Sequence, residues 1–105
     1  MKANSVLLLG YVGNHLISKI LSTGDKKVLI RVATHQKIKG QKYHITTWHN
    51  IVAWDKIGAF AENNFVKGSR ILVDGEIIYR TYPDQSGHLR YITEIKANSL
   101  ENLDR

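Results

Sequence analysis

Apolar and polar residues alternate at the period of a β-strand along most of the chain. Asn4 to Val12 is an apolar run interrupted by Gly10 and followed by Gly13. Such glycines mark a bulge or a close approach of backbone and argue against a helix. Ser22-Thr23-Gly24-Asp25 reads as a turn, after which Val28, Ile30 and Val32 alternate against Arg31 and predict a strand over Val28 to His35. A basic loop around Gly40, from Lys37 to Lys42, leads into a further strand from His44 to Trp54. The period then changes. Ile57, Phe60, Ala61 and Phe65 form a partial apolar stripe at helical spacing. Asp55 is placed to cap that helix with its carboxylate, and Lys67-Gly68 to end it with a basic last turn and a C-cap glycine. Gly58 and the Asn63-Asn64 pair make the helix depend on tertiary packing. Arg70 to Tyr82 is a long strand containing Gly75, Pro83-Asp84-Gln85-Ser86-Gly87 a hairpin turn, and His88 to Asn98 the returning strand.

Three strands, a helix and two strands is the order of an oligonucleotide-binding (OB) fold. It is an all-β, five-stranded Greek-key barrel with one helix between strands three and four, plugging one end. With 105 residues and no repeat or linker, the expectation is a single domain over residues 1–105. A chain of this size buries roughly 65% of its unfolded surface, so oligomerisation is a natural supplement to its core. The absence of cysteine excludes a disulfide framework and a thiolate metal site. No run approaches the ~20 apolar residues of a membrane span. The first twenty residues lack the blocks of a signal peptide, so a cytoplasmic protein is expected.

Charge narrows the partners. Fifteen Lys and Arg against nine Asp and Glu leave a net charge of +6. In so small a domain this is the footprint of a phosphate-backbone binder, though a solvated basic surface has the same composition. The next signal is aromatic. Trp48 and Trp54 are both even-numbered positions of one strand, so alternation places them on one face with Asn50 and Val52, and puts Thr47, His49, Ile51 and Ala53 on the other. Either the tryptophans are core, or they face outward as stacking surfaces for bases. Lys56 beside Trp54 and the basic loop before the strand suit the second arrangement. Arg80 and Tyr82 share a face near the hairpin tip, where cross-strand packing with Arg90 or Tyr91 is the alternative. Asp74 and Glu76 resemble an acid/base pair but read as a solvated surface. The five histidines do not converge, since His44 and His49 have opposite parity and His15, His35 and His88 stand in separate segments. No hydrolase elbow, phosphate-binding Gly-Lys loop or metal-binding His motif is present. A binding protein without cofactor or metal is expected, not an enzyme.

Several segments together resemble the bacterial single-stranded DNA-binding proteins: Asn4-Ser5-Val6-Leu7-Leu8-Leu9-Gly10, Thr47-Trp48-His49-Asn50-Ile51-Val52-Ala53-Trp54, Lys67-Gly68-Ser69, Val73-Asp74-Gly75, Asp84-Gln85-Ser86-Gly87 and Tyr91-Ile92-Thr93-Glu94-Ile95. The resemblance spans nearly the whole chain. It implies an OB-fold, a homotetramer and sequence-tolerant binding of single strands in DNA replication, recombination and repair. It puts the stacking aromatics on Trp48, Trp54 and Tyr82 and the basic contacts on Lys56, Lys67 and Arg80. His49 falls on a position at the subunit interface. A further stacking tryptophan of enterobacterial members aligns with Ile38, and basic positions are replaced by Asn50, Ile78 and Thr81, which implies weaker or shorter-footprint binding. The family's acidic, Phe-ended tip has no counterpart in residues 1–105, so recruitment of partners through it is not assigned. Two other readings stay open. One is an OB adaptor like primosomal replication protein N, which binds single strands and recruits restart helicase machinery. The other is an OB interaction module with buried tryptophans.

Overall fold

The computed structural model describes residues 2–14 and 16–104. Six strands and one helix follow in the order β1 (Val6–Val12), β2 (Ile17–Ile20), β3 (Lys26–Lys37), β4 (His44–Trp54), α1 (Asp55–Asn64), β5 (Arg70–Pro83) and β6 (Leu89–Asn102). Hydrogen bonding runs β1-β5-β6-β4-β3-β2, and β1 returns to pair with β3 at Tyr11↔Ala33 and Val12↔Val32. That second pairing closes β1, β3, β4, β5 and β6 into a barrel. All of its seams are antiparallel except β4–β6, where Ile51 and Val52 meet Ile95 and Lys96 in parallel. The helix lies between the third and fourth barrel strands, as the order of periodicities predicts.

The interior is filled by the alternating sets Val28, Ile30 and Val32 on β3, Ile51 and Ala53 on β4, Ile71 and Val73 on β5, and Ile95 and Ala97 on β6. Their opposite neighbours lie on the outer face, where Arg31, Trp48 and Asp74 reach solvent while Ala33, Val52 and Glu94 are covered. Helix α1 adds Ala61, and Phe65 follows at its end. Gly58 is what lets the helix lie against the barrel: a Cβ there would stand 2.8 Å from both the Ala53 carbonyl oxygen and Val28 Cγ2. A residue unfavourable for helix formation is thus required by packing.

Three local expectations change. Strand β2, paired to β3 through Ile17↔Leu29 to Ile20↔Lys26, has no signal in the alternation because all four of its residues are exposed. Asp55 does not cap α1. It adopts φ 50°, and its Oδ1 accepts the Lys26 amide at 3.0 Å, tying the helix start to β3. Lys67-Gly68 is not the helix end either. The helix stops at Asn64, and residues 66–69 form a separate turn in which the Ser69 amide donates to the Val66 carbonyl and the Ser69 hydroxyl accepts the Val66 amide. The ends of the barrel are pinned by side chains. Asn4 exchanges two hydrogen bonds with the Ile77 backbone, at 2.8 and 2.9 Å, and Asp104 accepts the Arg70 amide.

Candidate nucleic-acid interface

The β3–β4 register opposes Lys27 to Trp54, Leu29 to Val52, Arg31 to Asn50 and Ala33 to Trp48. All eight side chains therefore share one face of the sheet. Trp48 keeps 48% of its surface exposed and Trp54 is half-buried. The core arrangement is thereby excluded for Trp48, while Ile51 and Ala53 on the other face are fully buried. The Arg31 guanidinium carbon stands 4.7 Å from the centre of the Trp48 ring, and Lys27 Nζ 5.6 Å from that of Trp54. Each aromatic carries its own cation, a contact worth about 0.5–1 kcal/mol at exposed sites. Neither cation was a candidate from sequence. The signal was present, since Arg31 is the one charged residue among the apolar positions of its strand. Naming its partner requires the register. Gly13 completes the setting: a Cβ there would lie 2.9 Å from Trp48 Cζ3, so the missing side chain leaves room for the ring.

Two cavities continue this face. One of about 560 Å³ is lined by Trp48, Arg31 and Lys67 with Asn14 and Ile17. A second, of about 290 Å³, is lined by Arg31, Leu29, Asn50, Arg80, Ile92 and Glu94, again beside Ile17. Arg31 and Ile17 belong to both, so the two cavities adjoin, one reaching Lys67 and Trp48 and the other Arg80. Strand β2, invisible in the alternation, supplies part of the rim.

Arg80 grips Glu94 through Nε at 2.9 Å and Nη2 at 3.4 Å. Tyr82, two positions on, shares its face and is 41% exposed opposite Arg90. Lys56 stands apart. It lines a different groove between α1 and β6, with Ile57, Phe60 and Leu100. The structure thus brings Trp48, Lys67 and Arg80 onto one surface, carries Trp54 next along β4 and Tyr82 out on the hairpin, and does not bring Lys56 to it. His49 has the parity opposite to Trp48 and its Nε2 lies 2.8 Å from the Thr34 hydroxyl. Burial pushes its imidazole below the ordinary value. Asp74 is exposed and Glu76 lies 4.0 Å from Lys96 Nζ across the sheet, an ordinary surface arrangement.

The hairpin tip is organised by one carboxylate. Asp84 Oδ1 accepts the amides of Ser86 and His88, and Oδ2 accepts Arg90 Nε, each at 2.9 Å. Loss of hydration raises the Asp84 pKa, but the bonds from His88, Arg90, Ser86 and Gly87 outweigh it and hold the carboxyl below its ordinary 3.8. A depressed carboxyl stabilises above its unfolded pKa and ceases to as pH falls through its folded one. Protection of the Ser86 and His88 amides, relative to their intrinsic exchange rates, is therefore expected to fall selectively as pH drops through the lowered Asp84 pKa, below 3.8, and Asp84→Asn should show the weaker protection at neutral pH already.

Known proteins resemble this chain over nearly its whole length. The family described as the single-strand binding protein family matches residues 3–103. A single-stranded DNA-binding protein of Bacteroides thetaiotaomicron is 35% identical over 108 residues, covering 98% of this chain and 67% of that protein. One of Xanthomonas campestris pv. campestris is 34% identical over 103 residues, covering 95% of this chain and 60% of its own length. The chain thus spans about two thirds or less of these curated relatives. A solved structure, the Plasmodium falciparum SSB complex with ssDNA, superposes with a TM-score of 0.84 at 31% identity over 99% of this chain and 97% of that one. The family match extends from ahead of β1 to just past the end of β6, and on it the chain belongs to the single-strand binding protein family.

Proposed function

We propose that the protein binds single-stranded DNA without selecting base sequence and serves replication, recombination and repair as a non-catalytic coat in the cytoplasm. The observation that carries this is the half-exposed Trp48 ring, with Arg31 against it and Lys67 lining the same cavity. Bases stack on Trp48, Trp54 and Tyr82, because every base has a π-face and stacking needs no edge readout. Phosphates are met by Lys67 and by Arg31 and Lys27 beside the tryptophans. Arg80 edges the same groove, and Lys56 serves a strand that continues around α1. Duplex DNA cannot use the aromatics, since its bases are already stacked on one another.

The copies associate as a homotetramer. Support comes from β1, whose outward positions Leu7 and Leu9 leave 69% and 55% of their surface exposed beside Tyr11. Three apolar side chains in a row on one strand form a patch that a monomer rarely presents. His49 lies near the contact, as its place in the family implies. Its lowered pKa means that the native state favours the neutral ring. This residue therefore costs no stability well above the ordinary 6.5, and stability is lost progressively as pH falls from that value towards the lowered folded one.

Intrinsic tryptophan fluorescence titrated with oligo-dT tests the reading. Strong quenching by the single strand and not by duplex is expected, with log K falling against log salt at about −0.7 per phosphate contacted. Little quenching by a folded protein would overturn it. Light scattering should give the mass of four chains; two chains would instead support the helicase-recruiting adaptor.

A further inference from the structure

Glu94 is the one charged residue buried among the described residues, with 5% of its surface exposed. It does not face the barrel interior, where Ile95 and Ala97 follow it, but the floor of the 290 Å³ cavity. Both of its oxygens are held by Arg80, whose own side chain is 45% exposed. A buried carboxylate is tolerated when a well-oriented guanidinium compensates it, and breaking such a pair from one side is costly. Arg80 therefore cannot leave Glu94 for a phosphate without stranding a buried charge. Apart from Arg31, which also lines the Trp48 cavity, the remaining lining is uncharged, namely Ile17, Leu29, Ile30, Asn50 and Ile92.

We propose that Glu94 is a positioning residue that cancels the charge of Arg80 and fixes its guanidinium, making this cavity a charge-neutral floor for bases. The proposal rests on single-strand binding as read above and deepens it. Arg80 has five N–H groups, of which Nε and one on Nη2 are engaged by Glu94. The others remain to donate to base edges or sugar. Neutralisation of phosphates falls to Lys67, Arg31 and Lys27, along the tryptophans. The concave face is thus divided into a cationic stretch for the backbone and a neutral one for bases. A uniformly positive groove would attract phosphates to both and leave the strand free to slip between registers.

Salt dependence separates these arrangements. Oligo-dT binding is measured by anisotropy over a range of salt for the unaltered protein, for Glu94→Gln and for the Arg80→Gln/Glu94→Gln double variant. Freeing Arg80 in Glu94→Gln should steepen the slope by about 0.7 and tighten binding about fivefold near 0.1 M salt, the increment for one added phosphate contact. The double variant, which removes a neutral unit, should keep the original slope. An unchanged slope in Glu94→Gln, or a slope shallower by about 0.7 in the double variant, would show Arg80 already spent on phosphate and overturn the proposal. A purely structural Glu94 would lower the melting temperature of Glu94→Gln and leave its slope alone. If Glu94→Gln fails to fold, the double variant decides by itself, because it leaves no buried charge. Failure of single-strand binding itself is distinct: the unaltered protein would then show no salt-dependent anisotropy change, and both readings would fall.

Discussion

Trp48→Ala is expected to weaken binding of oligo-dT by about 1–3 kcal/mol, or roughly five- to 150-fold. Trp48 is the most exposed tryptophan of the shared face, and a base stacked on it also gains the Arg31 guanidinium on the same ring. The ring carries no charge, so the salt slope should change little while the affinity falls. Anisotropy of a labelled oligo-dT measures both quantities without depending on the lost fluorophore. Trp54→Ala should cost less, because Trp54 is already half-buried under Lys27 and has less free face to offer. Near-normal affinity in both single variants and in the double would move the stacking surface to Tyr82 and the hairpin.

Gly10→Ala should be strongly destabilising, at about 3 kcal/mol, the upper end of what overpacking usually costs. An added Cβ would stand 2.2 Å from the Ala33 carbonyl oxygen and 3.1 Å from its carbon, and 3.0 Å from Val32 Cγ1. Two of those atoms are backbone, so no rotamer relieves the contact. The strand itself must move, and it moves at the β1–β3 pairing that closes the barrel. For a domain of this size the melting temperature should drop by roughly 12–24 °C, read from the loss of far-ultraviolet circular dichroism on heating. Gly24→Ala is the comparison. Gly24 has φ +92° but nothing within 4 Å of the added carbon, so only the conformational strain remains, about 1 kcal/mol. Equal losses at the two sites would mean that backbone conformation, not closure of the barrel, sets the requirement for glycine at position 10.

Much of this was legible along the chain. Alternation located the strands around Val28–Val32, His44–Trp54, Arg70–Tyr82 and the return from His88, and the change of period located the helix after Trp54. Pro83 to Gly87 reads as a hairpin turn because Asp84 and Gly87 are the residue types such a turn needs, and Gly87 does take φ +81°. The glycine at position 10 reads as a close approach, and it is one. Strand β2 was not legible, because a strand with both faces in water leaves no alternation. Nor was the role of Asp55: a capping side chain and one that reaches across to the Lys26 amide have the same identity and the same place before a helix.

The site divides in the same way. That Trp48 and Trp54 share a face, and that Arg80 and Tyr82 share another stretch, follows from a period of two within single strands, which is a local property of the backbone. Which cation meets which ring is a matter of register between strands: Arg31 reaches Trp48 because Ala33 is its direct partner. Glu94 and Arg80 are surface charges by composition, and only the β5–β6 pairing, with Ile78 opposite Glu94 and Arg80 opposite Ile92, buries Glu94 under a half-exposed Arg80. Lys56 follows Trp54 in sequence, yet the turn into α1 carries it to another groove. The sequence by itself therefore determined the elements, their order and the parity of each side chain, since these depend on neighbours along the chain. Closure of the barrel decided which of those side chains meet, because burial and pairing arise from contacts between segments that the chain keeps far apart.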